Sequence, residues 1–424
     1  MPASPAVRGS QPRAAVPFIL ITVLLDTLGV GLIIPVGPRL VASFLHDDLE
    51  SAARWFGVLM SLYSVMQFVF APVLGGLSDR FGRRTDILTS LLGAATSYLA
   101  SGLAPALWWL FVGRTIAGIT GASFSAANAY IADITPPEKR AANFGAVGAV
   151  FGLGFILGPM LGGWLGDYGL RIPYFVGAGL NFLNLLYGLL VLPESLPRES
   201  RRPFDFKRAN PIGSLGNLRK HPLVLRLTGT LACAFLAQMI LQSCWALYSQ
   251  ARFGWSFKQV GFSFMAVGLS MAIVQGVVVR AVMPVLRESR ALTVGLAFSA
   301  VGYTLIGLAS RGWMLYVFIP LFALGGIAGP AVQAILTRQV GPKEQGELQG
   351  AINSLQGLMA IIGPLIGTSL LAQFATNTTG VHVPGAPFFA ASFFTATGLL
   401  LALRTLASAP VSVRPAPPTT SLTP

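Results

Sequence analysis

The chain has few of the residues that soluble enzymes use for chemistry. Its 424 residues contain three histidines, two cysteines and only 10% charged side chains, and no nucleotide-binding P-loop is present. The histidines, at positions 46, 221 and 382, are too scattered for a metal site. Cys233 and Cys244 lie about 16 Å apart along one predicted helix, which excludes a disulfide between them. The sequence therefore supports no enzyme class and no bound metal or cofactor.

Apolar sequence, by contrast, is abundant. Hydrophobic residues make up 54% of the chain, and the mean hydropathy is +0.68. Apolar stretches of about 20 residues, long enough to cross a bilayer as a helix, recur from end to end. They lack the period-two alternation of membrane-spanning strands. The sequence therefore predicts an all-α membrane protein with transmembrane helices at 16–38, 55–78, 86–104, 107–130, 143–165, 173–193, 223–248, 259–282, 291–310, 313–337, 348–374 and 387–404.

The basic excess follows this topology. The formal charge is +14, from 29 Lys and Arg against 15 Asp and Glu. If both termini are cytoplasmic, 22 basic residues fall at or near the cytoplasmic face and six fall in the outer loops. This asymmetry is the positive-inside rule, and topology with contact to anionic lipid explains it better than nucleic-acid binding does. We expect a multi-pass protein of a bacterial inner membrane, with both termini cytoplasmic.

The chain is predicted to contain two similar halves. Gly158-Pro159-x-x-Gly162 recurs as Gly363-Pro364-x-x-Gly367, an offset of 205, and 137–145 resembles 342–350 at the same offset. Two matches at one offset indicate a duplicated six-helix unit. Such bundles can rock about a site near the bilayer midplane. The predicted parts are a cytoplasmic tail at 1–15, a six-helix bundle at 16–193, a cytoplasmic linker at 194–222, a second bundle at 223–404 and a disordered tail at 405–424.

The most informative segment joins the second and third predicted helices. It combines glycines that permit close approach and a tight turn with one acid and three arginines: Gly75, Asp79, Arg80, Gly82, Arg83 and Arg84. Topology alone would explain the arginines, but acids contribute little to the positive-inside rule. We therefore expect a moving cytoplasmic gate as well as an orientation signal. The corresponding segment 283–290 has lost this acid and these glycines, so the first half should carry most of the gate.

Asp26 is the only one of the 15 acids that is predicted deep inside a span. A charge at that depth costs roughly 2.5–3.5 kcal/mol, so it should line a wet cavity, pair with a cation or carry a proton. Arg114 is the only cation predicted to be fully embedded, and it is the expected electrostatic neighbour of Asp26. We assign both to proton coupling. The alternatives are a static interhelical hydrogen bond for Asp26 and a side chain reaching the interface for Arg114.

Polar amides supply a candidate cavity lining. Gln238 and Gln242 are spaced to share one helix face, and Trp245 is predicted to continue it. Each amide alone is as well explained by contacts between helices, but their number favours a large amphipathic ligand. The candidate substrate-binding residues are Gln67, Gln238, Gln242, Trp245, Gln275, Asn353 and Gln356.

These features resemble the major facilitator superfamily over approximately residues 16–404. The loop has that family's pattern G-x-x-x-D-R-x-G-R-R, and Leu110-x-x-x-Arg114 with Gly118 is similar to its fourth-span motif. The fifth span resembles a motif associated with antiporters, formed by Gly154, Gly158, Pro159, Gly162 and Gly163. A face of small residues that only packs against another helix would explain the glycines of this motif but would not require the proline.

Within that family the chain is similar to the tetracycline/proton antiporters, on stretches such as 25–35, 66–72 and 252–255. The resemblance implies twelve helices in two pseudo-symmetric six-helix bundles. It also implies export of a tetracycline-type drug, as its magnesium chelate, in exchange for protons. Asp26, Asp79, Arg83, Arg114 and Asp133 inherit functional roles, with Asp133 assigned to the gate. We expect a monomer whose partners are the drug, protons and the lipid bilayer.

Three positions depart from the family pattern. Ser97, Met271 and Ser299 stand where well-studied members have an acid, a histidine and an acid, respectively. Their loss leaves Asp26 as the principal proton site and leaves the identity of the drug open. The alternatives are efflux of several drugs, proton-coupled uptake of a nutrient and a membrane receptor that transports nothing.

Overall fold

The computed structural model describes residues 15–121, 123–201, 203–204, 213, 222–341, 344–375 and 382–408. Most of the predicted linker and tails lies outside these residues, although the last helix continues past the predicted end at 404. Every regular element of the described residues is helical. The α-helices are α1 (Ala15–Ile33), α2 (Gly37–Ser43), α3 (Leu49–Phe81), α4 (Arg83–Gly102), α5 (Leu107–Thr120), α6 (Ser123–Ile134), α7 (Pro137–Gly166), α8 (Ile172–Val191), α9 (Pro222–Phe253), α10 (Phe257–Ile273), α11 (Val279–Leu308), α12 (Gly312–Ala323), α13 (Ala328–Arg338), α14 (Gln345–Ala375) and α15 (Ala386–Ser408).

These helices make twelve membrane crossings. Nine helical segments of the described residues are long and apolar enough to span a bilayer. One of them, Phe257–Leu308, has 52 residues and contains non-helical backbone at Arg287, so it crosses twice. α4, which has a charged first turn, supplies another crossing, and α5 together with α6 supplies the last. The predicted all-α, twelve-helix fold is confirmed.

The second span begins earlier than its apolar sequence suggests. The Asp48 side chain accepts hydrogen bonds from the backbone N–H groups of Glu50 and Ser51, which caps α3 before Leu49. Arg54 and Glu50 then form an ion pair of 2.8 Å one turn apart. Glu50 and Arg54, which precede the predicted span 55–78, therefore lie in the first turns of α3.

Three spans are irregular. The fourth, predicted as one helix over 107–130, is broken at Gly121, whose ψ of 47° is not helical, and α6 continues to Ile134. The tenth contains a 3₁₀ segment, Leu324–Ile327, between α12 and α13. The eighth contains a π-helical turn, Val274–Val278, which joins α10 to α11. Irregular backbone at membrane depth is tolerated only where protein or a water-filled cavity satisfies it.

The Gly-Pro motif makes equivalent contacts in the two halves. In the first half α7 packs along α1, and a Cβ at Gly158 would lie 2.7 Å from Gly31 Cα. In the second half α14 packs along α9, and a Cβ at Gly363 would collide with Met239. Close backbone approach through glycine is the usual basis of helix association in lipid. These matching contacts support the predicted duplication.

The halves meet along two helix pairs, α3 with α14 and α7 with α10. A Cβ at Gly261 would lie 2.5 Å from the carbonyl oxygen of Pro159. A Cβ at Gly57 would lie 3.1 Å from the carbonyl oxygen of Pro364. Each motif proline therefore presents its carbonyl to a glycine of the opposite half.

The two halves are closed at one side and open at the other. We call the side that carries Gly75–Arg84 the loop side. Away from it, Ser61 Oγ donates to the Ile361 carbonyl at 2.7 Å, and Gln250 Nε2 donates to the Pro35 carbonyl at 3.1 Å. Towards the loop side a Cβ would meet no atom within 4 Å at several glycines of the contact helices, so a cavity opens there between the halves: Gly75, Gly145, Gly148, Gly276, Gly346 and Gly350.

Gly158→Val should destabilise the first half, because the added side chain has no room against Gly31. Overpacking of this kind costs about 1–3 kcal/mol. Thermal unfolding of the detergent-purified protein should show a lower midpoint for Gly158→Val. Gly148→Val is the matched control on the same helix, since its side chain would enter open space. Equal destabilisation by both variants would contradict the assigned packing.

Candidate functional site

Asp26 lies within α1 and is half-buried. Its Oδ2 accepts a hydrogen bond of 2.5 Å from the hydroxyl of Ser123, the first residue of α6. A hydroxyl donor in this position stabilises the carboxylate when it is ionised. The carboxylate also lies at a helix start, where unpaired N–H groups and the helix dipole favour negative charge. Sequence reasoning identified Asp26 but not Ser123, because a serine inside a predicted continuous helix carries no signal.

Arg114, half-buried on α5, shares neighbours with Asp26. No ion pair joins these two described residues. Tyr63 of α3 and Tyr98 of α4 instead lie within electrostatic range of both. The site is therefore a carboxylate and a guanidinium that share two phenol groups, and the proton-coupling role of the charged pair stays a prediction.

Gln67 supports the break in the fourth span. Its Nε2 donates to the Gly121 carbonyl at 2.9 Å and to the Tyr63 hydroxyl at 3.2 Å. This carbonyl lies where helical hydrogen bonding stops, so a partner from α3 satisfies it. In this state Gln67 therefore stabilises the break, and a direct role in substrate binding stays a prediction.

Several amide side chains are exposed within the spans of the second half. Gln238, Gln242, Gln275, Asn353 and Gln356 are all exposed although they lie within spans. Exposed polar groups at membrane depth usually face a water-filled cavity or the bundle interior. Two amides that sequence reasoning missed extend this surface, because Gln333 Nε2 donates to Gln349 Oε1 at 3.1 Å and Gln349 Nε2 donates to Asn353 Oδ1 at 3.0 Å.

Trp245 does not share the exposed face of Gln238 and Gln242, so the predicted continuation of that face is wrong, whereas its role in substrate binding stays a prediction. It is 2% exposed, and its indole N–H donates to Ser263 Oγ at 2.8 Å. Its ring packs against Phe264 and Phe388. α10 and α15 cover α9 at this level, so helical spacing alone could not distinguish a cavity face from a packed one.

The Gly75–Arg84 loop is built around the Arg83 guanidinium. It forms ion pairs of 2.6 Å with Asp79 and 3.3 Å with Asp133, and it donates to Ser78 Oγ at 3.2 Å. Gly82 has a φ of 106°, a conformation that glycine adopts readily, so α3 can turn sharply into α4. Arg80 lies over the Phe81 ring at 5.2 Å, whereas Arg84 donates to the Leu189 carbonyl at 2.7 Å.

The start of the linker is attached to this loop. Glu194 Oε1 accepts from the Arg83 backbone N–H at 2.9 Å, which caps the start of α4. The other Glu194 oxygen lies 3.7 Å from Arg201, and Ser195 Oγ donates to Asp133 at 3.2 Å. Sequence reasoning missed Glu194, because a cap supplied from another part of the chain leaves no local pattern.

The fifth-span motif has two packing faces. Gly154, Gly158 and Gly162 contact α1, whereas Gly163 contacts the Phe257 carbonyl of α10. The Pro159 carbonyl faces Gly261 on the same side. The motif therefore joins α7 to its own half and to the opposite half, close to the closed side.

The three positions that depart from the family pattern contribute no charge to the site. Ser97 is buried and donates to the Ala94 carbonyl at 3.0 Å. Ser299 lies against Gly325, and Met271 is half-buried in the second-half core beside Gly326. At these three positions the structure has packed neutral side chains, where the family pattern has acids and a histidine.

The second half retains a version of the gate pair with its charges exchanged. Adding 205 to Arg83 and Asp133 gives Glu288 and Arg338, and these form an ion pair of 2.6 Å. The same offset relates Gly82 to Arg287, which also has positive φ, at 57°. The prediction that the first half carries most of the gate stays untested, but the second half has kept the turn and one ion pair.

A cavity between two six-helix halves, open to one side and lined by polar groups, defines a secondary membrane transporter that works by alternating access. The Major Facilitator Superfamily model matches residues 19–364. The chain belongs to this superfamily, and it is a transporter and not an enzyme.

Curated relatives and a solved structure agree with this membership. The chain is 43% identical to the Escherichia coli tetracycline resistance protein, class C, over 86% of this chain and 91% of that protein. It is 37% identical to the class D protein of Salmonella ordonez, over 93% and 97%. The human organic anion transporter MFSD10 (TETRAN) matches with a TM-score of 0.67 and 26% identity, over 92% of this chain and all of that one.

Exchanging the charges of the second-half pair should preserve function better than changing one member. Glu288→Arg alone places two arginines together and should lower transport about three- to tenfold, as a coupling of about 1 kcal/mol predicts. Glu288→Arg with Arg338→Glu should restore most of it. Efflux from intact cells measures the effect at matched protein levels. A double variant as impaired as the single one would show that the pair does not stabilise the gate.

Proposed function

We propose that the protein exports tetracycline or a closely related drug-like molecule in exchange for protons. The observation that carries the proposal is Asp26, a half-buried carboxylate within a span that accepts a hydrogen bond from Ser123. The relatives support the choice of substrate, because several of them are tetracycline resistance proteins. The absence of charge at Ser97, Met271 and Ser299 concentrates coupling on Asp26.

The direction of transport follows from the proposed orientation. With both termini in the cytoplasm of a bacterial inner membrane, the loop side is cytoplasmic and the open cavity faces the cytoplasm. Ionised Asp26 favours loading in this state, and a proton arriving from outside promotes release. Asp79 and Arg83 steady the cytoplasmic gate while the halves face outward. The protein acts as a monomer, since one chain contains both halves and the cavity between them.

The cavity walls suit a substrate with both charged and neutral polar groups. The first half offers the half-buried side chains of Asp26, Arg114 and Tyr63, whereas the second half offers exposed amides such as Gln242 and Gln356. Amides bind hydroxyl and carbonyl groups, and a carboxylate favours a cation. A tetracycline carried as its magnesium chelate presents both kinds of group, with the metal entering as part of the substrate.

Asp26→Asn should abolish uphill efflux, because the amide keeps the shape of the side chain but cannot carry a proton. We expect drug accumulation driven by respiration in everted vesicles to fall at least about a hundredfold. Asp167→Asn is the control, since Asp167 is an exposed acid at the end of α7. Uphill efflux by Asp26→Asn would mean that another group carries the proton.

The same vesicles distinguish the alternative functions. Adding substrate should dissipate a pre-formed acid interior if drug and proton move in opposite directions. A proton-coupled uptake system should not do so, and a receptor would move no substrate. Resistance to tetracycline, chloramphenicol and fluoroquinolones in a pump-deficient host then separates a dedicated tetracycline exporter from a multidrug one.

A further inference from the structure

The short helix α6 touches the proton site at one end and the gate at the other. Its first residue, Ser123, donates to Asp26, and Asp133 in its last turn pairs with Arg83. The ten helical steps from Ser123 to Asp133 span about 15 Å. One short helix therefore connects a carboxylate inside the membrane with the ion pairs of the Gly75–Arg84 loop.

The two pieces of the fourth span are held by different partners. Gln67 fixes the end of α5 to α3 through the Gly121 carbonyl. The start of α6 is instead joined to α1 through Ser123 and Asp26. Because the backbone at Gly121 is not helical, α6 can shift relative to α5 without breaking a helical hydrogen-bond ladder there. The break is therefore a suitable hinge.

The groups around Asp26 make its protonation state matter to α6. Tyr63 on α3 and Tyr98 on α4 lie within electrostatic range of it, and Arg114 on α5 lies within range of both tyrosines. α7 and α8 contact α1 with neutral groups in the described residues, Gly154 against Thr27 and Asn184 bonded to Thr22. The charge of Asp26 thus meets hydroxyl groups, one nearby cation and the positive start of α6.

We propose that α6 transmits the protonation of Asp26 to the gate, and that Ser123 is the positioning residue through which it does so. While Asp26 is ionised, the charge-assisted hydrogen bond and the helix start hold α6 against α1. When Asp26 takes up a proton, the charge is lost and this attachment weakens. α6 then shifts at Gly121, and Asp133 moves with it relative to Arg83. This inference rests on the proposed proton-coupled function and adds the route by which protonation of Asp26 changes the gate.

Ser123→Ala should uncouple proton movement from gate movement. We expect proton-driven uphill efflux to fall about tenfold, while substrate exchange without net proton movement changes less than about twofold. Ser123→Thr keeps the hydroxyl and should restore efflux. Ser125→Ala is the matched control, since Ser125 is an exposed serine on the same helix.

A measurement without substrate separates this inference from the proposed function. Spin labels at Gly148→Cys and Gly276→Cys report the width of the opening, in a background with Cys233→Ala and Cys244→Ala. The distance between the labels should change between acid and alkaline pH in the otherwise unaltered protein and in Ser125→Ala, but not in Ser123→Ala. A change that persists in Ser123→Ala overturns the role of Ser123. If drug efflux fails but the Ser123-dependent change remains, the proposed substrate is wrong and the coupling route stands.

Discussion

The cost of placing one carboxylate inside a membrane is the constraint on which the arrangement of the first half depends. An ionised group at that depth is unfavourable by roughly 2.5–3.5 kcal/mol, so its surroundings must supply polar partners. α6 begins beside Asp26 and donates through Ser123, and the carboxylate is only half-buried. The break at Gly121 that produces this helix start would be costly without a second partner, which Gln67 provides. The start of α6 is thus matched to Asp26, and the break at Gly121 is matched to Gln67.

The two halves divide the chemistry unequally. In the described residues, the embedded charges lie in the first half, and the second half exposes amides such as Gln238 and Gln275 within its spans. Both halves nevertheless use the same backbone device where they meet, a proline carbonyl against a glycine of the other half. Such backbone contacts can persist while the surrounding side chains diverge, because the contacts require only that the glycine has no Cβ. A duplicated scaffold has therefore kept its packing and specialised its surfaces.

Sequence reasoning identified residues whose roles depend on near neighbours in the chain. It missed residues whose roles depend on contacts between distant spans. The Asp79–Arg83 pair, the turn at Gly82 and the packing glycines of α7 were readable because each role is determined by neighbours within a few residues. The break at Gly121, the hydrogen bond from Ser123 and the Glu194 cap depend on contacts between different spans, which no periodicity records. The burial of Trp245 was unreadable for a related reason, since helical spacing gives a face but not what covers it.

The π-helical turn Val274–Val278 marks the place where the second half has one residue more than the first. Before it, the structural counterpart of Gly57 is Gly261, an offset of 204, because each faces a motif proline carbonyl. After it, Gly82 corresponds to Arg287 and Arg83 to Glu288, an offset of 205. One inserted residue separates the two registers, and a π turn is the form in which a helix accommodates one extra residue. The insertion left the contact with α7 and the loop-side turn aligned with their first-half counterparts and confined the mismatch to a single turn of backbone.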